Sequence, residues 1–216
     1  MERTLDNKQK MKPVSQQLIW ARKIFSIAQS GLTYSKNDFD LDRYRRLQEI
    51  AAEMIASQSE LKKDDVLESF SMQAGYITPK IDVRGAVIRD GKILLVNERI
   101  DGKWAMPGGW ADLGETPSEM VEREVREESG FDVRAAKLIA VYDANRIQPM
   151  EFYHAYKLVF LCNIIGGKAT TSIETSGVEF FSPDGLPPLS KFRTNQSMIA
   201  EVFAHVVDSN RLAYFE

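Results

Sequence analysis

"PGGWADLGETPSEMVEREVREESGF", residues 107–131, is the stretch from which the fold and the chemistry of this chain are most directly inferred. It carries nine charged side chains, seven of them carboxylates; two glycines stand near its start and another near its end. Thr116, followed by Pro117 and by Glu119 three residues after the threonine, predicts a capped helix start. Gly130 predicts the helix end. The stretch therefore predicts a helix over residues 117–129.

Three carboxylates share one face of this predicted helix, because Glu124, Glu127 and Glu128 stand at positions i, i+3 and i+4. Like charges at this spacing destabilise a helix, so a cation is expected to neutralise them. Carboxylates without thiolate or imidazole partners favour a hard ion, Mg²⁺ or Mn²⁺. Taken alone, an E-x-x-E-E pattern is more typical of a solvated charged face. The neighbouring sequence is therefore needed to distinguish a metal site from a solvated charged face.

The surroundings favour the metal site, because the stretch resembles the signature of the Nudix hydrolases. It matches that signature at seven fixed positions, namely Gly109, Glu115, Arg123, Glu124, Glu127, Glu128 and Gly130. The resemblance extends over roughly residues 80–210. It implies an α+β fold, an α/β/α sandwich with a mixed sheet. It also implies divalent-metal-dependent hydrolysis of the pyrophosphate bond of a nucleoside diphosphate linked to another moiety, X.

The resemblance also assigns roles within the stretch. Glu124, Glu127 and Glu128 are the implied metal ligands, and the backbone carbonyl of Gly109 completes the coordination, since glycine lets the chain approach the ion closely. Arg123 is expected to pair with Glu115 and to hold the helix to the loop before it. These assignments specify how a pyrophosphate is handled, but they do not identify X.

A general base is still needed to activate water. Glu127 or Glu128 could serve, but a metal-bound carboxylate is a weaker base. Glu174, in "SIETSGVEFF", precedes a predicted strand at the place where related enzymes supply the base from a later loop. A surface acid without a catalytic role is the other interpretation of Glu174, and Glu179 is a weaker alternative for the base.

Three further residues are candidates for substrate binding. Arg84, at the start of the first predicted strand, is expected either to meet a phosphate or to form a structural ion pair. Trp104 and Trp110 flank "AMPGG", where they either stack on a base or belong to the core.

The chain changes pattern near residue 75. Before it, apolar residues at spacings of three and four predict three helices, within residues 15–30, 38–56 and 62–73, with Asp38 or Asp40 as the N-cap of the second. After it, strands predominate, with hairpin turns at Asp90–Gly91 and Asp101–Gly102, and an amphipathic helix closes the chain. We therefore expect a small helical domain, 1–74, for dimerisation or scaffolding, and a catalytic domain, 75–216.

The helical segment is similar to the N-terminal domain of a bacterial Nudix group that includes CDP-choline pyrophosphatase. That similarity implies a homodimer that cleaves CDP-choline to CMP and phosphocholine, with ADP-ribose as another substrate. One alternative is an RNA-processing enzyme, a 5′-pyrophosphohydrolase or a 3′-end exonuclease, that uses the same metal site. A weaker one is a non-catalytic module that senses a nucleotide.

Composition narrows the cellular setting. The net charge of −3 gives no general attraction to nucleic acid or to an anionic membrane. Cys162 is the single cysteine, which excludes an intrachain disulfide and favours a reducing cytosol. The first residues lack the apolar core of a signal peptide, and the most apolar run, "YKLVFLCNII", is too short to cross a bilayer. These features predict a soluble cytoplasmic protein with no membrane association.

Overall fold

The computed structural model describes residues 15–71, 75–144 and 154–215. Among them, the chain divides into two compact units, one comprising the residues up to Pro79 and the other beginning at Lys80. The first unit contains three helices: α1 (Gln16–Tyr34), α2 (Asp38–Ala56) and α3 (Lys63–Ser71).

The helical unit follows the apolar spacing of its sequence. Helix α1 buries Leu18, Ala21, Phe25 and Ala28, the face predicted from their spacing. The expected N-cap of α2 at Asp38 or Asp40 is wrong: Asn37 caps the helix and accepts hydrogen bonds from the N–H groups of Phe39 and Asp40. An asparagine in extended conformation before the first helical residue can reach those two donors.

Within its described residues, the second unit contains a seven-stranded mixed sheet and two helices. Its strands are β1 (Lys80–Arg89), β2 (Lys92–Glu98), β3 (Trp104–Ala105), β4 (Phe131–Asp143), β5 (Ala155–Gly167), β6 (Thr175–Phe181) and β7 (Tyr214–Phe215). The sheet order is β3-β2-β1-β5-β4-β7, with β6 paired to β2. Strand β1 runs parallel to β5 and antiparallel to β2, so the sheet is mixed.

One helix covers each face of this sheet. Helix α4 (Pro117–Ser129) packs Met120, Val121 and Val125 into a core with Val83 and Phe160. On the other face, α5 (Gln196–Val207) buries Met198, Ile199 and Val202 with strand residues that include Ala86 and Ile139. The predicted α+β sandwich with a mixed sheet is therefore confirmed.

Two connections in the second unit position the loop before α4. The β1–β2 hairpin turns at Asp90 and Gly91, whose φ angles are 51° and 70°, as the predicted primed turn requires. The segment that follows β3 then lies along β1: Val83 N–H donates to the Gly109 carbonyl at 2.9 Å, and Gly85 N–H to the Pro107 carbonyl at 2.8 Å. The glycine loop is thus held to the sheet by backbone hydrogen bonds.

None of the helices within the described ranges is long and apolar enough to cross a membrane.

Candidate active site

Helix α4 begins and ends where its sequence predicts. The Thr116 side chain accepts from the Glu119 N–H, and the Glu119 carboxylate accepts from the Thr116 N–H, which completes the capping box. Gly130 ends the helix in the left-handed conformation, with φ 77°. Because both ends of the helix are capped by neighbouring residues, the helix begins and ends at defined positions relative to the loop before it.

Arg123 joins this helix to its loop. Its Nε and Nη2 each lie 2.8 Å from a different oxygen of Glu115, a bidentate pair. Its Nη1 contacts Glu124 at 2.9 Å and Glu127 at 3.2 Å. The hydrogen bonds from Arg123 hold the pKa of Glu115 below its ordinary value. Arg123 and Glu115 thus form an ion pair between the helix and its loop, and their role as a brace of the site stays a prediction.

Glu128 is the most deeply placed of the three helix acids. It is 5% exposed, and its Oε2 accepts the Gly108 N–H at 2.8 Å. Burial raises the pKa of Glu128 to about 7, against the opposing positive charge of Arg84. A carboxylate removed from water in this way requires a cation when it is ionised.

Glu124 lies against the glycine loop. A Cβ placed on Gly109 would be 2.9 Å from the Glu124 Oε2, so a side chain at this position would require the Glu124 carboxylate to shift. Burial raises the pKa of Glu124, although Arg123 opposes the shift. The Gly109 carbonyl accepts from Val83 N–H and keeps one lone pair for another partner.

The three acids do not converge on one point in the structure. Arg123 holds Glu124 and Glu127, whereas Glu128 turns to the Gly108 N–H. Within residues 15–71, 75–144 and 154–215, no three His, Cys, Asp or Glu side chains are grouped closely enough to hold a metal ion. Side-chain rotation of Glu124 and Glu127 away from Arg123 is therefore required before they can share an ion.

The donor set nevertheless fits a hard divalent cation. All three side chains are carboxylates on one helix, and Glu128 is buried with a backbone N–H as its hydrogen-bond donor. Oxygen donors of this kind suit Mg²⁺ or Mn²⁺, which also take a backbone carbonyl. Glu124, Glu127, Glu128 and the Gly109 carbonyl are the residues that would hold such an ion.

The candidate substrate-binding residues occupy different environments. Arg84 is buried, pairs with Asp82 at 3.0 Å and donates to the Met106 carbonyl at 3.3 Å, so its contacts are those of a structural ion pair. Trp104 packs against Phe181 at a ring-centroid distance of 4.8 Å. Trp110 is 45% exposed beside the glycine loop, which leaves part of its ring accessible to a ligand.

Glu174 lies at the end of the loop before β6. Its carbonyl accepts from the Arg99 N–H at 2.9 Å, and its own N–H donates to Ser172 Oγ at 3.1 Å, so its backbone is fixed. Its negative charge acts on Glu98, whose charge in turn acts on Glu128. Glu174 is therefore close enough to Glu98 for their charges to interact. Glu179 stands opposite Leu95 in the β2–β6 ladder.

Glu98 was missed by the sequence reasoning. It ends strand β2, is buried, and pairs through its Oε1 with Arg193 Nε at 3.2 Å. Burial raises the pKa of Glu98, while Arg193 and Arg84 oppose the shift. An acid at the end of an apolar strand, three residues before a hairpin turn, was the available signal. Its partner Arg193 lies too far along the chain to be paired with it by spacing.

The fold and the acid-bearing helix agree with two matches to protein-family models. Residues 79–202 match the NUDIX domain, and residues 15–70 match the UDP-X-like N-terminal oligomerisation domain. The chain therefore belongs to the Nudix hydrolase family and is a Nudix pyrophosphohydrolase. Nudix hydrolases generally use divalent metals.

Two of the relatives described here are similar to this chain over most of its length, and a third is similar over about half of it. A Bacillus subtilis protein, provisionally named an ADP-ribose pyrophosphatase, is 40% identical over 91% of this chain and 95% of its own. The ADP-ribose pyrophosphatase of Methanocaldococcus jannaschii is 35% identical over 53% of this chain and 69% of its own. The crystal structure of a UDP-X diphosphatase is 33% identical, with a TM-score of 0.61, and covers 92% of this chain and 97% of its own.

Proposed function

We propose that this enzyme hydrolyses the pyrophosphate bond of a nucleoside diphosphate linked to X, releasing a nucleoside monophosphate and phosphorylated X. The observation that carries the proposal is the buried Glu128, held by the Gly108 N–H beside Glu124 on the capped helix α4. ADP-ribose is the first substrate to test, since two relatives bear that name. CDP-choline stays in the proposal on the resemblance of the N-terminal helices.

The metal belongs to the proposal as Mg²⁺ or Mn²⁺, held by Glu124, Glu127, Glu128 and the Gly109 carbonyl. When bound, such an ion neutralises charge on a pyrophosphate and lowers the pKa of a coordinated water. The protein's own part is to orient these donors. Gly108 fixes Glu128 through its N–H, and Arg123 fixes the helix to Glu115.

Proton transfer completes the chemistry. Water adds to one phosphorus, the bond from that phosphorus to the bridging oxygen breaks, and the water proton passes to a base. We assign the base to Glu174, with Glu127 or Glu128 as alternatives, because Glu174 has a fixed backbone and acts electrostatically on Glu98. Glu98 in turn acts on Glu128.

Replacing Glu174 with glutamine tests this assignment. The substitution keeps the size of the side chain and removes its proton acceptor, so kcat is expected to fall by about 10²-fold or more. KM should change little, and the acid limb of the pH–rate profile should flatten. A variant with nearly wild-type kcat and an unchanged pH profile would reduce Glu174 to a surface acid.

Recognition of the nucleobase of the substrate is assigned to Trp110, whose ring is partly exposed beside the glycine loop. Trp104 was a candidate for the same task, and Arg84 was a candidate for binding a phosphate. Their contacts, with Phe181 and with Asp82 and Met106 respectively, support positioning of the loop instead.

The helical unit is proposed to form a cytoplasmic homodimer. Its family description is that of an oligomerisation domain. Trp20, Ile27 and Tyr34, seven residues apart on α1, are all more than half exposed, and this spacing places them along one stripe. A second copy of the chain would cover that stripe. The single, buried cysteine is compatible with a reducing compartment.

A substrate panel tests the proposed function directly. Purified protein with Mg²⁺ or Mn²⁺ is incubated with ADP-ribose, CDP-choline, UDP-sugars and a 5′-triphosphorylated RNA. Release of nucleoside monophosphate is measured for the nucleotides, and release of pyrophosphate or of nucleoside monophosphate for the RNA. We expect release from at least one nucleotide and its loss in EDTA, with recovery when the metal is restored. No release from any nucleotide contradicts the proposal, and release from RNA alone favours the RNA-processing alternative.

A further inference from the structure

A group of five charged residues lies beside the proposed metal ligands, and none of the five is itself a proposed metal ligand. This inner charge cluster consists of Asp82, Arg84, Glu98, Lys157 and Arg193. Asp82 pairs with both Arg84 and Lys157, and Glu98 pairs with Arg193 at 3.2 Å. The charges of Arg84 and Arg193 both act on Glu98 and on Lys157, so the two pairs form one electrostatic unit.

Positive charge exceeds negative charge in the inner charge cluster. Its three cations share two carboxylates, and Glu128, on which the charges of Arg84 and Glu98 act, is among the proposed metal ligands. Lys157 is 2% exposed, and burial together with Arg84 lowers its pKa to about 8, so it is still charged near neutral pH. Buried charge without a full complement of opposite charge is costly, and an anionic ligand would relieve that cost.

Arg193 is the member of the cluster that a ligand can reach. Its side chain is 29% exposed, whereas Arg84 and Lys157 are buried. Its Nε faces Glu98, and its Nη1 donates to Ser190 Oγ at 3.3 Å. Among the described residues, no hydrogen bond or ion pair engages its Nη2, which leaves that edge of the guanidinium for an oxygen ligand.

The segment that carries Arg193 is fastened to the strand and turn before the glycine loop. Trp104 N–H donates to the Pro188 carbonyl at 3.0 Å, and Ser190 N–H donates to the Trp104 carbonyl at 2.8 Å. Met106 N–H donates to Thr194 Oγ1 at 2.9 Å. These bonds hold Arg193 in a fixed position relative to Pro107–Gly109 and therefore relative to Glu128, which the Gly108 N–H holds.

We infer that Arg193, supported by the field of Arg84 and Lys157, binds a phosphate group of the substrate directly, beside the metal ligands. A guanidinium fork suits phosphate oxygens, and neighbouring buried cations strengthen the attraction in a region of low dielectric. The ligand class is a diphosphate, and in naming it the inference rests on the proposed function. Glu98 is then a positioning residue that fixes the direction of the Arg193 fork.

The test measures anion binding without catalysis. Inorganic pyrophosphate is titrated into the full-length protein in EDTA by calorimetry, for wild type, Arg193→Gln and Arg193→Lys. Arg134→Gln is the matched control, because it removes the same charge from an exposed arginine that pairs only loosely with Glu122, at 3.9 Å. Thermal melting of each variant checks that it is folded.

We expect Arg193→Gln to weaken pyrophosphate binding by about tenfold or more, the effect of losing one charge-assisted contact. Arg193→Lys should lie between it and wild type, and Arg134→Gln should bind as wild type does. With metal and a hydrolysable substrate, Arg193→Gln should raise KM more than it lowers kcat.

Equal pyrophosphate affinity in wild type and Arg193→Gln overturns the inference, as does an equal loss in Arg134→Gln. A fall in kcat with unchanged pyrophosphate affinity also overturns it, because that result indicates a structural role for the Glu98–Arg193 pair. Binding in EDTA does not depend on hydrolysis. Failure of the substrate panel and failure of this inference are therefore separate results.

Discussion

Glu128→Gln is expected to lower kcat by about 10³-fold while the protein stays folded. A metal ligand supplies several kcal/mol of transition-state stabilisation, and each 1.4 kcal/mol corresponds to about a tenfold change in rate. The glutamine oxygen can still accept the Gly108 N–H that Glu128 Oε2 accepts at 2.8 Å, so the glycine loop should keep its position. What disappears is the negative charge that is proposed to face the metal.

The same Glu128→Gln substitution should preserve or raise the thermal stability of the protein while it lowers the activity. Burial raises the pKa of Glu128 to about 7 in the folded protein, above its ordinary value, so the fold disfavours the ionised form. Without metal, the cost of the ionised carboxylate grows as pH rises from the ordinary pKa through the folded value and is fully present above about 7. A neutral glutamine avoids it, and the melting temperature at pH 8 in EDTA should be equal to or above that of wild type.

Glu122→Gln is the control for this experiment. Glu122 lies on the same helix, and its Oε1 accepts the Ala135 N–H at 2.9 Å, a bond that glutamine can also accept. Its kcat should stay within about twofold of wild type, as for a substitution away from the reacting groups. Mn²⁺ affinity, measured by calorimetry, should fall in Glu128→Gln and not in Glu122→Gln. A Glu128→Gln enzyme with wild-type turnover and Mn²⁺ affinity would contradict the metal assignment.

Much of the fold was predictable because its signals are local. Thr116, Pro117, Glu119 and Gly130 lie within or next to the helix that they delimit, and each acts through hydrogen bonds or backbone angles a few residues away. The Asp90–Gly91 turn is local in the same sense. The wrong N-cap of α2 is also instructive: the true cap, Asn37, stands directly before the two predicted candidates, Asp38 and Asp40, and the apolar spacing of the helix did not point to it.

The rest of the site depends on contacts between distant parts of the chain. Glu98 and Arg193 are 95 positions apart, and the Met106–Thr194 bond spans 88. No periodicity or motif connects such pairs, since they are brought together only when β2, the glycine loop and the segment before α5 assemble. Lys157 illustrates the same limit: within an apolar strand its sequence position gives no indication that Asp82 will hold it. The motif identified the acidic side chains of α4, whereas the basic side chains beside them are brought together only by the fold.

Gly108→Ala is expected to cost both stability and activity. Gly108 has a φ of +146°, and a Cβ there would lie 2.9 Å from the Arg84 Cα and closer still to the Val83 carbonyl oxygen. Both neighbours are backbone atoms of β1, so no side-chain rotation relieves the contact. The strain should destabilise the fold by about 2–3 kcal/mol, which lowers the melting temperature by roughly 4–12 °C for a chain of this size.

The loss of activity should exceed the loss of stability, because the loop can accommodate a Cβ only by moving away from β1. That movement displaces two backbone groups: the Gly108 N–H, which orients Glu128, and the Gly109 carbonyl, which is proposed to face the metal. We expect kcat to fall by about 10²-fold even at temperatures where the variant is folded, since small displacements of catalytic groups have effects of this size.

Gly114→Ala separates backbone strain from displacement of the loop. Gly114 lies in the connection between the glycine loop and α4, and it also has a positive φ, +94°, but a Cβ there would meet no atom within 4 Å. It should lose about 1 kcal/mol of stability from its backbone angle and keep its kcat. Melting curves and kcat for the two variants, measured side by side, distinguish these effects. Equal losses of kcat in both would show that positive φ, and not the contact of Gly108 with β1, determines the position of the proposed metal ligands.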